Sequence, residues 1–126
     1  MGQVAAIAGH FGVPTLLVTG DEAACAEARE FFPGAETVAV KQGRGRNHAT
    51  CLHPERAQQL IREAAARAVK LAGKLKPLAV ETPAEVKITF TRADYADGVG
   101  ARPGVERVDA RTVRATIDSV VNLLAF

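Results

Sequence analysis

The chain has 126 residues, is 48% hydrophobic with no tryptophan, and sets 16 Lys and Arg against 14 Asp and Glu. That length suits one domain or two small pieces around a core of Ala, Val, Leu and Ile, and a net charge of +2 excludes a chain organised around nucleic acid. No stretch approaches the ~20 apolar residues that span a bilayer, and no cationic region precedes the first apolar run, so the cytoplasm is the expected compartment, with no membrane partner.

Gly2 to Phe11 is Ala-rich and apolar on most sides, which predicts a buried helix, stopped by Gly12 and Pro14. PTLLVT is a continuous apolar run, the pattern of an interior parallel strand covered on both faces. Thr19 and Glu22 stand at capping-box spacing, and Asp21 and Glu22 put negative charge where a helix dipole favours it. A second helix is therefore expected from here to about Phe32, and PGAE turns the chain into a strand over ETVAV. Helix, strand, helix, strand is the order of an open α/β sheet with right-handed crossovers.

KQGRGRNHATCLHP has glycines, arginines and no period, and reads as a loop. Pro54 then opens the longest helix, PERAQQLIREAAARAVKLAG, with apolar residues from Ala57 to Ala68 recurring at three and four. After the connector KLKPLAVETP, VKITF alternates as a strand and TRADYADGVG is short and helical or looped. Pro103-Gly104 is a turn, and VERVDA is a short strand. Asp109 is expected to cap a final helix whose stripe is Val113, Ile117, Val120 and Leu124. The fold class is α/β: residues 1–40 supply a helix-strand-helix-strand piece of an open parallel sheet, and residues 41–126 a two-layer α+β unit.

Cys25 and Cys51 form no Cys-x-x-Cys pair and read as two buried small apolar residues. His10, His48 and His53 share no ligand spacing; His10 is expected in the core or an interface, and His53 at the start of a helix. TGDEA comes after a strand, but with one glycine and an opposing Asp21 it is no phosphate loop, so Asp21 reads first as a helix cap. It still lies at the carboxyl end of a strand, where open α/β sheets place their sites. Lys41, Arg44, Arg46, Asn47 and His48 are the densest polar cluster, able to hold a carboxylate or phosphate or simply to be solvated. With no aromatic among them, base stacking has no support. The residues alone present no catalytic set and no metal set.

Several stretches in the right order resemble the D-aminopeptidase family of zinc metallopeptidases: AGHFGVPTLLVTGDEAACAEA, then ETVAVKQGRGRNHATCLHPERA, then the Pro103-Gly104 turn and the expected final helix. The resemblance covers essentially the whole chain. It is strongest in GVP, the strand and TGD, and at Lys41-Gln42, Arg46, Cys51-Leu52 and Pro54, and weaker from Lys74 to Ala101. It implies a self-compartmentalising enzyme, longer than this chain, that uses zinc to hydrolyse short peptides with an N-terminal D-residue. The family's metal ligands and catalytic histidine belong to the first half of such an enzyme, and its last metal-binding glutamate would fall just before Met1. No catalytic residue and no metal ligand is carried over to this chain.

On that resemblance the chain is expected to be a C-terminal portion that opens inside a helix. It would be inactive without the missing half and bind no zinc alone, and would associate with that half or as a homo-oligomer. PTLLVT would present an unpaired edge. Lys41, Arg46 and Asn47 are the candidates for a substrate-binding wall, where a cation would hold a peptide carboxylate. The alternatives are a stand-alone small-molecule-binding module and a structural subunit on the same scaffold.

Overall fold

The computed structural model describes residues 1–124, which divide after Leu78 into two compact units. In the first, α1 (Gly2–His10), β1 (Leu17–Asp21), α2 (Glu22–Phe31) and β2 (Glu36–Gly45) run in the expected order. β1 and β2 are parallel, paired from Leu17–Glu36 to Gly20–Ala39, with a bulge before the Asp21–Lys41 pair. Parallel neighbours need a crossover, and α2 supplies it, packing on both strands. Asp21, not Thr19, is the cap of α2: its Oδ1 accepts the Ala24 N–H at 2.8 Å. Thr19 is held in the ladder opposite Val38, so the helix begins two residues later than a Thr19 cap would allow.

α1 ends where Gly12 takes φ +75°, a conformation that favours glycine, while the Gly12 and Val13 N–H groups donate to the Gly9 and Ala8 carbonyls. Ala5, Ala28 and Phe32 are buried together, with Val18, Ala35 and Leu78 packed against them. Small side chains bring the backbones close, and Gly9 lies directly against the Leu78 carbonyl. β1 is at one edge of a three-stranded sheet ordered β1-β2-β3, and Val4, Phe11 and Val13 are exposed. His10, expected in the core or an interface, is exposed too, its ring edge-on to Phe11.

The segment expected as a loop after residue 40 is a β-ribbon. β2 runs unbroken through residue 40, turns after Gly45 and returns as β3 (His48–Cys51), pairing Lys41–Cys51, Gln42–Thr50 and Gly43–Ala49 antiparallel. From Gln42 through Cys51 every residue is exposed, so no apolar alternation marks these strands. For the same reason Cys51 is exposed, unlike Cys25, which is fully buried. His53 then precedes α3 (Pro54–Ala68), which buries Ala64 and Ala68 and passes into a 3-10 turn over Val69–Leu71.

Arg67 of α3 grips Glu36 of β2 through two hydrogen bonds, Nε to Oε1 at 3.1 Å and Nη2 to Oε2 at 3.0 Å. Those bonds hold the Glu36 carboxyl below its ordinary pKa. A carboxyl lowered by folding contributes stability above its unfolded value, about pH 4.3, and loses it as pH falls through the lowered one. Glu36→Gln should therefore flatten the acid limb of a denaturant-midpoint series run from neutral pH to about pH 3. An acid limb identical to the parent's would show the pair to be idle.

In the second unit, β4 (Ala84–Thr89), β5 (Val105–Arg107) and β6 (Thr112–Ile117) build an antiparallel sheet ordered β4-β6-β5, and α4 (Ala93–Gly100) lies between β4 and β5 in the chain. β6, its central strand, stands where the final helix is expected. Val113, Ala115 and Ile117 point into the core opposite Ile88, Val86 and Ala84, while Arg114 on the outer face pairs with Glu106 at 2.7 Å. The residues between these apolar positions are β-branched or long, and two partner strands outweigh a helical spacing that three positions happen to satisfy. Asp109 caps no helix; its Oδ1 accepts the Arg111 N–H at 2.8 Å in the turn into β6. Val120 is buried in a 3-10 turn (Val120–Leu124), and the side chain of Leu124 lies outside the described residues. Tyr95 on α4 is half-exposed, edge-on to Phe90 and with the Arg92 guanidinium 5.2 Å from its ring centre. Among the described residues, no helix is long and apolar enough to cross a membrane.

Candidate functional site

The carboxyl end of β1 and the start of α2 meet at Asp21, and the strand register sets Lys41 beside it. Beyond this point β2 leaves the body of the sheet as the exposed ribbon. A cleft of about 360 Å³ opens here, rimmed by Asp21, Lys41, Arg46, Asn47 and His48. Gly43, Gly45 and Ala49, residues with little or no side chain, complete its lining. Lys41, Arg46 and Asn47, the three candidates from the sequence, thus line one cleft. Arg44 of the same cluster does not; its Nε donates to Thr50 Oγ1 at 3.3 Å.

Among the described residues, Lys41 and Arg46 make no ion pair, whereas Arg67, Arg92, Arg107 and Arg114 each face a carboxylate. The one acid on the rim, Asp21, spends Oδ1 on the cap of α2. The His48 ring lies over Gly45, with Cε1 2.6 Å from where a Cβ would stand, so a side chain at 45 would displace it. In the sequence Asp21 is marked by its place at the end of a strand and His48 by its membership of the polar cluster; that the two share one rim with Lys41 follows from the ribbon, which folds His48 back onto Gly45.

A second cleft of about 330 Å³ includes Val40, Gln42, Thr50 and Leu52, and there Gln42 Nε2 donates to Glu22 Oε2 at 2.8 Å. The first is the more polar in its rim, and its two uncommitted cations suit an anion. Zinc does not fit it: a single carboxylate and a single imidazole stand among cations. Among the described residues, no three His, Cys, Asp or Glu are grouped so as to hold a metal ion.

The family profile of D-aminopeptidase matches residues 1–126. A D-aminopeptidase of Bacillus subtilis (strain 168) is 37% identical over 106 residues, which are 84% of this chain and 39% of that protein. Among solved structures, the Zn-dependent D-aminopeptidase DppA from Bacillus subtilis, a self-compartmentalizing protease, superposes with a TM-score of 0.85 at 33% identity. The match covers 95% of this chain and 44% of that one, so the chain spans less than half the length of the relatives it matches.

Proposed function

Since this chain belongs to the D-aminopeptidase family, we propose that it is the C-terminal portion of a cytoplasmic, zinc-dependent D-aminopeptidase that cleaves short peptides with an N-terminal D-residue. Its role there is to complete the α/β scaffold and furnish one wall of the substrate site, within a homo-oligomer. The zinc chemistry belongs to the part of the enzyme outside these residues, and the chain alone is inactive. The observation that carries this reading is the match over all 126 residues to the D-aminopeptidase family, with the likeness to a solved Zn-dependent D-aminopeptidase beside it.

Lys41, Arg46 and Asn47 are the wall residues in this reading, donating hydrogen bonds to a peptide carboxylate; that all three line one cleft supports it. The test is reconstitution. The chain would be co-expressed with a first-half fragment designed on the Bacillus subtilis D-aminopeptidase, and D-alanyl dipeptide hydrolysis measured with and without zinc. Zinc-dependent turnover by the pair, and none by either piece, is the expected result. In that enzyme Lys41→Ala and Arg46→Ala should each raise KM about tenfold with little change in kcat, as for loss of one charge-assisted hydrogen bond of ~1.4 kcal/mol. A reconstituted complex that hydrolyses nothing would move the chain to a binding or structural role.

A further inference from the structure

We propose that β4 is a self-complementary edge, through which two copies of this chain join antiparallel into one continuous sheet. The proposal deepens the homo-oligomer reading above by assigning its contact, and rests on it only in the expectation that copies meet.

The ladder decides which backbone groups of β4 face outward. The Phe90 N–H donates to the Arg111 carbonyl at 2.8 Å, continuing the register in which Thr89 faces Thr112. Hydrogen-bonded and non-hydrogen-bonded pairs alternate along an antiparallel ladder. Ala84, Val86 and Ile88 therefore turn their N–H and C=O groups toward β6, and Glu85, Lys87 and Thr89 turn theirs away from it. Among the described residues no strand pairs with that outer side. β4 has six residues and no register shift against β6, whereas β5 has three, and β2 is bulged against both β1 and β3.

The same alternation sorts the side chains. Ala84, Val86 and Ile88 are half-buried on one face, and Glu85, Lys87 and Thr89 are exposed on the other. Against an antiparallel copy of β4, a slip of one residue would set the apolar face against the charged one. The register centred on Val86 puts Val86 on the partner's Val86, and Ile88 on the partner's Ala84. It also puts Glu85 on the partner's Lys87 and Lys87 on the partner's Glu85, and the outward backbone groups of each pair exchange both hydrogen bonds. Sliding the copy two residues one way sets Lys87 against Lys87, and the other way Glu85 against Glu85. Opposite charges across a pair stabilise it and like charges destabilise it, so β4 selects one register against itself. Lysine on an edge ordinarily deters pairing; here it deters the wrong registers.

The outer face of the sheet adds a second reason. Lys87 stands directly across the ladder from Arg114, a like charge. Arg114 turns to Glu106 at 2.7 Å and reaches Glu85 only at 3.7 Å. A glutamate from a second copy on the open side of Lys87 offsets that repulsion.

The experiment is sedimentation equilibrium of the 126-residue chain from about 10 µM to about 1 mM, because an interface this narrow belongs to the weak class. A monomer–dimer equilibrium is expected. Glu85→Lys and Lys87→Glu should each weaken it at least about tenfold, since symmetry makes each reversal create its like-charge pair twice. Both positions are exposed, so neither reversal disturbs the core. An equimolar mixture of the two variants should dimerise again, because every lysine then faces a glutamate. The chain carrying both changes should do so too. In the parent, amide exchange at Glu85 and Lys87 should slow with rising concentration by a larger factor than at Val86, which β6 already protects. A chain still monomeric at about 1 mM, an association unmoved by either reversal, or a mixture no tighter than its components would overturn the proposal. No readout here involves catalysis: an inactive reconstituted enzyme would leave them untouched, and a monomeric chain would leave the peptidase reading standing.

Discussion

Gly9→Ala should destabilise the first unit by about 2–3 kcal/mol, even though alanine is the better helix former. A Cβ at position 9 would fall inside contact distance of the Leu78 carbonyl oxygen and 2.9 Å from its carbon. A flexible side chain could swing aside; a peptide group cannot, so α1 or the segment ending at Leu78 must retreat. Either movement opens the cluster of Ala5, Ala28 and Phe32, which Leu78 helps to cover. The helix-propensity gain of about 1 kcal/mol offsets only part of that loss. Gly98 in α4 supplies the control, because a Cβ there meets nothing within 4 Å. Gly98→Ala should stabilise by about 0.5–1 kcal/mol. Chemical denaturation monitored by circular dichroism measures both, and a Gly9→Ala variant as stable as the parent would mean that the two backbones do not touch.

Phe32→Ala should be costlier still, about 3–5 kcal/mol. Phe32 is 8% exposed and is the one large aromatic in a cluster otherwise made of Ala, Val and Leu. Removing it leaves a cavity walled by backbone and methyl groups, which cannot relax inward to refill it. Phe32→Leu, which keeps most of the volume, should lose no more than about 1.5 kcal/mol. The ratio of the two effects is the informative quantity. If leucine were as harmful as alanine, ring shape rather than filled volume would be what the core requires.

The elements that could be read directly were those whose burial leaves a period. α1, β1, α2, the first half of β2, α3 and β4 all bury a continuous run or one face, and their apolar residues repeat accordingly. The ribbon failed that reading because it buries nothing: Gly43, Arg44 and Gly45 look like a loop, and only pairing with Ala49 and Thr50 makes them a strand. β6 failed for the opposite reason. Val113, Ile117 and Val120 are all buried, but they satisfy a helical spacing by coincidence, and the inward Ala115 was too small to advertise the alternation. The cleft was partly legible, since the cations of the polar cluster were visible in the sequence. That Lys41, Arg46 and Asn47 would face Asp21 and His48 depended on the ribbon, which was not.

The half-exposed Tyr95 beside Phe90 and Arg92 has an optical consequence. It is the chain's only tyrosine, and there is no tryptophan. Intrinsic fluorescence therefore comes from the second unit alone, and the first unit, with its cleft, is dark. Emission during heating reports when α4 and its sheet come apart, while far-ultraviolet ellipticity reports both units. Where the two curves separate, the units melt independently. A tryptophan substituted for Leu52, at the foot of the ribbon, would then be a lone lamp on a dark background, its colour shifting with whatever settles nearby.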